Sequence, residues 1–208
     1  MDIINYKEQV LGYARKAIRL GLMAGTSGNL SARTEDDRII ITPSGISYET
    51  MSVRDIMVID PKGNVLDGPH KPSSEWPLHA EIYRELRSVR GVVHTHSPYA
   101  TAFAVLNEAV PVILVEMLFF LGGDIRVAPV AVPGTADVGS GALAAIRDRG
   151  ACLLQNHGAV SVGGTLAEAF IRMEYAEDAA KVYHLAKSAG KPTLVPEDII
   201  VEILNGKG

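Results

Sequence analysis

The chain has 208 residues, 47% of them hydrophobic, and a formal net charge of −4 at pH 7. This length predicts one domain over residues 1–208 with a well-filled core, and the acidic balance excludes the basic surface that nucleic acid requires. The chain lacks both a signal-peptide pattern and an apolar stretch of membrane-spanning length, and its single cysteine excludes an internal disulfide, so we expect a cytoplasmic protein that binds a small molecule and no membrane.

The first third of the chain predicts a helix followed by two hairpins. Apolar residues recur at helical spacing from Val10 to Ile18, and Gly21 follows where a left-handed residue would end the helix. The first hairpin combines a strand that ends at residue 33 with one over residues 38–41, and the second combines residues 57–59 with residues 65–66.

Helices and strands are mixed in the rest of the chain. Helices are predicted over residues 78–86, 99–106, 137–149 and 166–189 and near the C-terminus, and strands over residues 92–93, 151–154 and 159–162. Because hairpins and helices do not strictly alternate, the pattern predicts an α/β fold with helices on the faces of a largely antiparallel or mixed sheet. A doubly wound parallel sheet is disfavoured.

Two histidines follow an apolar run in the middle of the chain. His94 and His96 come directly after Gly91-Val92-Val93, and side chains at positions i and i+2 of a strand point to the same face. Both imidazoles can therefore converge on one point, which is a metal-ligand geometry. A His-x-His pair also occurs without a metal, and two ligands do not hold zinc, so a third ligand is required.

A third histidine, His157, stands at the exit of the strand predicted over residues 151–154 and precedes Gly158. A strand end can aim a side chain into a cleft, and a glycine beside it permits close approach of the backbone. Three histidines with an open fourth position are typical of a catalytic zinc site. In contrast, His70 in a polar loop and His184 in the long helix are interpreted as ordinary polar residues.

Glu75 is the candidate proton-transfer group. One interpretation is a first-turn carboxylate stabilised by the helix dipole, with Ser73 or Ser74 as the N-cap. The other is a catalytic carboxylate beside a metal, with His79, one turn later on the same face, either as a partner of the site or simply as a helix histidine. Apolar Trp76 and a nearby cation would shift the Glu75 pKa in opposite directions, so the residues alone assign no direction.

Three loops are rich in glycine amides and hydroxyl groups and contain neither lysine nor arginine: residues 25–29, 42–45 and 73–74. Backbone N–H groups and neutral donors of this kind can hold a phosphate. Each loop alone is an ordinary turn, and neither the P-loop pattern nor the dinucleotide fingerprint is present.

Taken together, these residues resemble the class II aldolase/adducin family from about residue 20 to the long helix after residue 164. The motifs, in chain order, are Gly25-Thr26-Ser27-Gly28-Asn29-Leu30-Ser31, Thr42-Pro43-Ser44-Gly45, Ser73-Ser74-Glu75, His94-Thr95-His96-Ser97 and Gln155-Asn156-His157-Gly158. In this order they are highly specific, although individually only the His-x-His and Ser-Ser-Glu elements would attract notice.

The resemblance implies a three-layer α/β/α sandwich with a mostly antiparallel central sheet, assembled as a fourfold homotetramer with active sites at subunit interfaces. It implies Zn²⁺, with Mn²⁺ or Co²⁺ also possible, bound by His94, His96 and His157, with Glu75 completing the shell. The family's phosphate-binding positions map onto Gly28, Asn29, Ser44, Gly45, Ser73 and Ser74.

The implied activity is reversible, zinc-dependent cleavage of a ketose 1-phosphate to dihydroxyacetone phosphate and an aldehyde. L-fuculose 1-phosphate and 5-deoxypentulose 1-phosphates are the candidate substrates. Zinc would stabilise the charge left when the C3–C4 bond breaks, and Glu75 would transfer the proton at C3. None of the motifs contains a lysine, so no Schiff base is required.

The aldehyde side of the pocket departs from the family member that cleaves L-fuculose 1-phosphate. In that enzyme a tyrosine of the neighbouring subunit protonates the aldehyde side, whereas segment 112–120 here has Glu116 at about that position. That enzyme's C-terminal tyrosine also has no counterpart after Tyr183. We therefore expect a carboxyl group or a water as the acid; the alternative is a surface or interface glutamate, which the flanking apolar residues should keep from full exposure.

Three alternatives stay open. An L-ribulose-5-phosphate 4-epimerase shares the fold and the retro-aldol step but typically has aspartate where Glu75 stands, which favours the aldolase. A methylthioribulose-1-phosphate-processing enzyme, either an aldolase or a dehydratase, is a further relative. An adducin-like non-catalytic binding module would have lost the site, and the intact His94, His96, His157 and Glu75 argue against it.

Overall fold

The structure is a computed structural model that describes residues 2–206. The domain predicted over residues 1–208 also includes Met1, Lys207 and Gly208, which lie outside the described residues. No helix within residues 2–206 combines the length and the apolar character needed to cross a membrane.

One eight-stranded sheet forms the centre of the described chain. Its strands are β1 (Asn29–Arg33), β2 (Ile39–Ile41), β3 (Met57–Ile59), β4 (Val65–Asp67), β5 (Gly91–Thr95), β6 (Arg126–Ala128), β7 (Ala151–Leu154) and β8 (Gly158–Gly163). They lie in the order β4-β3-β2-β1-β5-β8-β7-β6, and every neighbouring pair is antiparallel except β6 and β7. The predicted mostly antiparallel sheet and both predicted hairpins, β1–β2 and β3–β4, are therefore confirmed.

Helices cover both faces of this sheet. They are α1 (Ile3–Arg19), α2 (Trp76–Glu85), α3 (Pro98–Leu106), α4 (Glu116–Phe120), α5 (Ala136–Ile146), α6 (Leu166–Ala189) and α7 (Glu197–Asn205), and a 3₁₀ turn spans Val53–Asp55. One core lies between the sheet and α1, α3 and α6, and a second lies between the sheet and α2 and α5. The three-layer α/β/α sandwich is confirmed.

The strand β2 shows why the sheet has two cores. Its three isoleucines alternate between them: Ile40 belongs to the first core, and Ile39 and Ile41 belong to the second. Successive side chains of a strand point to opposite faces, so a strand covered on both sides is apolar throughout.

Several element bounds differ from the predictions. Helix α2 begins at Trp76 rather than at residue 78, because Pro77 fits the first turn of a helix. Helix α5 ends at Ile146 rather than at residue 149, and β5 extends beyond residues 92–93 to include His94. The sequence did not predict α4 and β6, since five and three residues are too few for an apolar period to show.

Candidate active site

Three imidazoles and one carboxylate meet at the edge of the sheet. His94 lies in β5, His96 follows the end of that strand, His157 lies in the turn between β7 and β8, and Glu75 precedes α2. One ligand atom of each residue lies within 4.8 Å of the others, and we call these four residues the metal-ligand cluster. The structure thus brings together the four predicted metal ligands.

The spacing of the donor atoms fits a divalent cation. His94 Nε2 lies 3.1 Å from His96 Nε2 and 3.2 Å from Glu75 Oε2, and His157 Nε2 lies 3.1 Å from Glu75 Oε1. Four ligands at about 2.1 Å around a tetrahedral ion are roughly 3.4 Å apart. The measured separations are close to that value.

The chemistry of these atoms also fits a cation. His94 Nδ1 lies 3.0 Å from the Ala159 carbonyl oxygen, which only accepts, so Nδ1 carries the proton and Nε2 carries a lone pair. That lone pair faces the Glu75 carboxylate, acceptor against acceptor. Glu75 Oε1 is buried and makes no hydrogen bond. A cation would satisfy both groups.

Close packing between β5 and β8 holds the histidines together. A Cβ atom on Gly158 would lie 2.4 Å from the Thr95 carbonyl oxygen and 3.0 Å from His96 Cδ2. The preceding turn places Asn156 in the left-handed region, at φ 56°, and returns the chain to β8 directly after His157. The glycine that the sequence placed beside a ligand is therefore required by the approach of the two strands.

Glu75 is the N-cap residue of α2, and its side chain makes no capping hydrogen bond. The interpretation of Glu75 as a first-turn carboxylate with Ser73 or Ser74 as the N-cap is therefore wrong, because the carboxylate turns towards His94 and His157 instead. Burial raises the pKa of Glu75, but the neighbouring imidazoles of His157 and His94 outweigh it, and the pKa lies well below its usual range. Glu75 is a carboxylate at neutral pH.

Hydrogen bonds connect Glu75 through Asn29 to His79, and the sequence did not predict this connection. Asn29 donates from Nδ2 to Glu75 Oε2 at 2.7 Å, and His79 Nε2 lies 2.5 Å from Asn29 Oδ1. His79 is fully buried, and burial together with the charge of His94 lowers its pKa to about 3. Asn29, Ser31 and Arg33 are polar residues at alternate positions of β1 and all three are buried, whereas such alternation in a sequence is typical of a strand with one solvent-facing side, so no local pattern pointed to this connection.

The predicted phosphate loops lie near one another. Ser44 donates its N–H to the Lys71 carbonyl, and Ser73 donates its N–H to the Thr42 carbonyl, so segments 42–45 and 71–74 run side by side. Gly28 has a φ of +76°, and a Cβ atom there would lie 2.8 Å from the His94 carbonyl oxygen. The loop that contains Gly28 therefore packs directly against β5. Phosphate binding by Gly28, Asn29, Ser44, Gly45, Ser73 and Ser74 remains a prediction.

Glu116 is not one of the four residues of the metal-ligand cluster, and it begins α4. Glu116 is exposed in the single chain. The expectation that its apolar neighbours in the sequence keep it from full exposure is therefore wrong for the single chain. The remaining histidines have ordinary environments: His70 Nε2 lies 2.7 Å from Asp55 Oδ1, and His184 is exposed beside the Tyr99 ring.

Comparisons with known proteins agree with this arrangement. The sequence profile of the Class II Aldolase and Adducin N-terminal domain matches residues 8–184. A 5-deoxy-D-ribulose 1-phosphate aldolase of Bacillus thuringiensis serovar kurstaki is 36% identical over 193 residues, which are 92% of this chain and 90% of that protein. A 5-methylthioribulose-1-phosphate/5-deoxyribulose-1-phosphate aldolase of Rhodospirillum rubrum is 38% identical over 201 residues, which are 97% of this chain and 90% of that protein. A solved structure of an L-fuculose 1-phosphate aldolase has a TM-score of 0.92 and 35% identity, and the match covers 98% of this chain and 96% of that one.

Proposed function

Because the chain belongs to the class II aldolase and adducin family, we propose that it is a metal-dependent aldolase that reversibly cleaves a ketose 1-phosphate to dihydroxyacetone phosphate and an aldehyde. One observation supports this most directly. The metal-ligand cluster joins a carboxylate and three imidazoles within 4.8 Å of one another, and it packs against the glycine loop predicted to bind phosphate.

The substrate that we propose is a 5-deoxypentulose 1-phosphate. Two relatives that are at least 36% identical over more than nine tenths of this chain are named for 5-deoxyribulose 1-phosphate. Methylthioribulose 1-phosphate and L-fuculose 1-phosphate are the next candidates, because one of these two relatives is also named for the former and a further relative is named an L-fuculose phosphate aldolase.

We propose Zn²⁺ as the metal, held by His94, His96, His157 and Glu75. When bound there, the cation would supply a Lewis acid for the substrate oxygens and for the negative charge that develops during cleavage. The chain holds the donors ready for it: the Ala159 carbonyl fixes the tautomer of His94, and burial, followed by the neighbouring imidazoles of His94 and His157, lowers the pKa of His96 to about 4. His96 is therefore neutral at pH 7.

Glu75 moves the proton at C3. In condensation the Glu75 carboxylate removes a proton from C3; in cleavage the electron pair of the C3–C4 bond stays on C3, and Glu75, after taking up a proton released by a hydroxyl group of the bound substrate, returns a proton there. The C4 hydroxyl proton leaves on the aldehyde side of the pocket, and we assign Glu116 as the group that accepts it. Neutral donors of Gly28, Asn29, Ser44, Gly45, Ser73 and Ser74 hold the phosphate.

The proposed active unit is a homotetramer with interfacial active sites. Large apolar side chains are exposed in segment 107–135 of the single chain, including Val115, Phe120 and Val132. Exposed apolar side chains gathered in one segment suit an interface with a second copy of the chain. A second copy placed here would also bring Glu116 into a covered setting. A cytoplasmic location remains a prediction from the sequence.

The test is a product assay with tag-free protein of known metal content. The proposal expects one divalent ion per chain and release of dihydroxyacetone phosphate from a ketose 1-phosphate. Conversion of one pentulose phosphate into another without cleavage would identify an epimerase, and loss of water from methylthioribulose 1-phosphate would identify a dehydratase. Protein without stoichiometric metal, and inactive after addition of zinc, manganese or cobalt, would be a binding module.

A second experiment identifies the preferred substrate. A panel of aldehydes is offered with dihydroxyacetone phosphate, and the aldehydes are ranked by kcat/KM.

A further inference from the structure

A line of buried side chains runs from Glu75 away from the metal-ligand cluster. Asn29 Nδ2 donates to Glu75 Oε2 at 2.7 Å, and Asn29 Oδ1 lies 2.5 Å from His79 Nε2. On the far side of the ring, His79 Nδ1 lies 2.6 Å from Ser31 Oγ, which lies 2.7 Å from the Tyr83 hydroxyl. Since His79 and Ser31 are completely buried and Asn29 and Tyr83 nearly so, each polar atom must find its partner within the protein.

The carboxylate at one end fixes the direction of these hydrogen bonds. Glu75 only accepts, so Asn29 must present its NH₂ group to Glu75 and its carbonyl oxygen to His79. An amide oxygen also only accepts, so His79 must carry its proton on Nε2. Its Nδ1 then accepts the hydroxyl proton of Ser31. A single tautomer of neutral His79 therefore satisfies every partner.

We propose that His79 is a positioning residue that acts on Glu75 through Asn29. If the Asn29 amide turned by half a rotation, its oxygen would face the Glu75 carboxylate and its NH₂ group would face the His79 N–H. Both contacts would be repulsive, so the His79 N–H adds to the Glu75 carboxylate in holding Asn29 in the orientation in which it donates to Glu75 Oε2. The inference deepens the proposed function and rests on it for the role of Glu75 in proton transfer.

Two amide variants of His79 separate this role from packing. Glutamine is long enough to place its NH₂ group near the position of Nε2 and can donate to Asn29, whereas asparagine reaches only the position of Nδ1 and can accept from Ser31. The measurements are the Kd of the metal-free protein for Zn²⁺ and the kcat and KM for cleavage. We expect His79→Asn to weaken zinc binding and to lower kcat by about tenfold to a hundredfold, the usual effect of losing a group that orients a ligand. We expect His79→Gln to stay within about threefold of wild type on the same scale.

Thermal unfolding provides the structural readout, since both variants remove the ring from the same buried place. If the two variants weaken zinc binding equally, or if neither does, His79 is only a packing residue and the inference is wrong. Zinc affinity is measured without substrate. A wild-type protein that binds zinc but releases no dihydroxyacetone phosphate would therefore count against the proposed function and leave the inference on His79 to be decided by the Kd values.

The tautomer of His79 in the wild-type protein provides a test that needs no variant. Long-range ¹H–¹⁵N NMR correlations distinguish a proton on Nε2 from a proton on Nδ1. A protonated Nε2 with a bare Nδ1 is the expected result. The opposite tautomer would present an acceptor to Asn29 and turn its oxygen towards Glu75, which would overturn the inference even if neither variant folds.

Discussion

The metal-ligand cluster and segment 107–135 differ in how far a single chain completes them. In the cluster, strands fix the histidines, and the side chains of His94 and Glu75 are buried. In the segment, large apolar side chains remain exposed, and Val132 is 70% exposed. The two regions adjoin, because Val130 donates its N–H to Gln155 Oε1, two residues before His157. The single chain thus completes the metal-ligand cluster and leaves apolar side chains exposed beside it, which is the arrangement that the proposed interfacial active site requires.

The largest expected effect is at Glu75, in the region that the single chain completes. We expect Glu75→Gln to lower kcat by about 10²-fold to 10⁴-fold, because a positioned proton-transfer group is lost while the shape of the pocket is kept. Release of dihydroxyacetone phosphate under steady-state conditions measures it. Glu85→Gln, an exposed residue at the end of α2, is the matched control. Wild-type kcat in Glu75→Gln would remove Glu75 from the reaction.

Glu116 tests the aldehyde side of the pocket. We expect Glu116→Gln to lower kcat by roughly tenfold to a hundredfold, at or below the low end for general acid–base catalysis, because a water can partly replace the carboxyl group. The same assay measures it, with Glu202→Gln in the exposed α7 as the control. If kcat is unchanged, Glu116 is a surface glutamate and the acid must come from elsewhere.

Gly158 tests whether close strand packing makes the cluster rigid. Because a Cβ atom would lie 2.4 Å from the Thr95 carbonyl oxygen, we expect Gly158→Ala to lower the free energy of unfolding by about 1–3 kcal/mol and to weaken zinc binding. Urea denaturation and zinc titration measure the two effects.

The control for that variant is Gly12→Ala. Gly12 lies inside α1 with no atom within 4 Å of an added Cβ, so the change should raise the free energy of unfolding by about 0.5–1 kcal/mol. A Gly158→Ala protein as stable as wild type would show that β5 and β8 can separate without cost.

The smallest effect concerns the exposed surface. We expect Val132→Ser to change the free energy of unfolding of the single chain by no more than about 0.5 kcal/mol. Association of subunits should weaken by about 1.5 kcal/mol if another copy covers this side chain. Sedimentation velocity over a range of concentrations measures it, with Val105→Ser, 55% exposed on α3, as the control. Equal behaviour of both variants would place the interface elsewhere.

Local signals in the sequence predicted the sheet, both hairpins and the three histidines, whereas Glu75 as a fourth metal ligand was implied by the family resemblance. Val10 to Ile18 show a helical period, and His94, His96 and His157 stand at strand ends. The short elements α4 and β6 gave no such signal, since packing against the rest of the chain determines them. The hydrogen bonds of Asn29 with Glu75 and with His79 join residues 46 and 50 positions apart, which no local pattern reveals.

The place of β5 in the sheet also bears on how the protein is made. This strand pairs with β1 on one side and with β8 on the other, so it joins the N-terminal and C-terminal halves of the sheet. During synthesis Glu75, His94 and His96 emerge from the ribosome well before His157. A growing chain therefore offers an incomplete set of ligands, and the complete set exists only after β8 has docked. If a metal binds at this cluster as proposed, the finished fold rather than the nascent chain acquires it, late in the formation of each molecule.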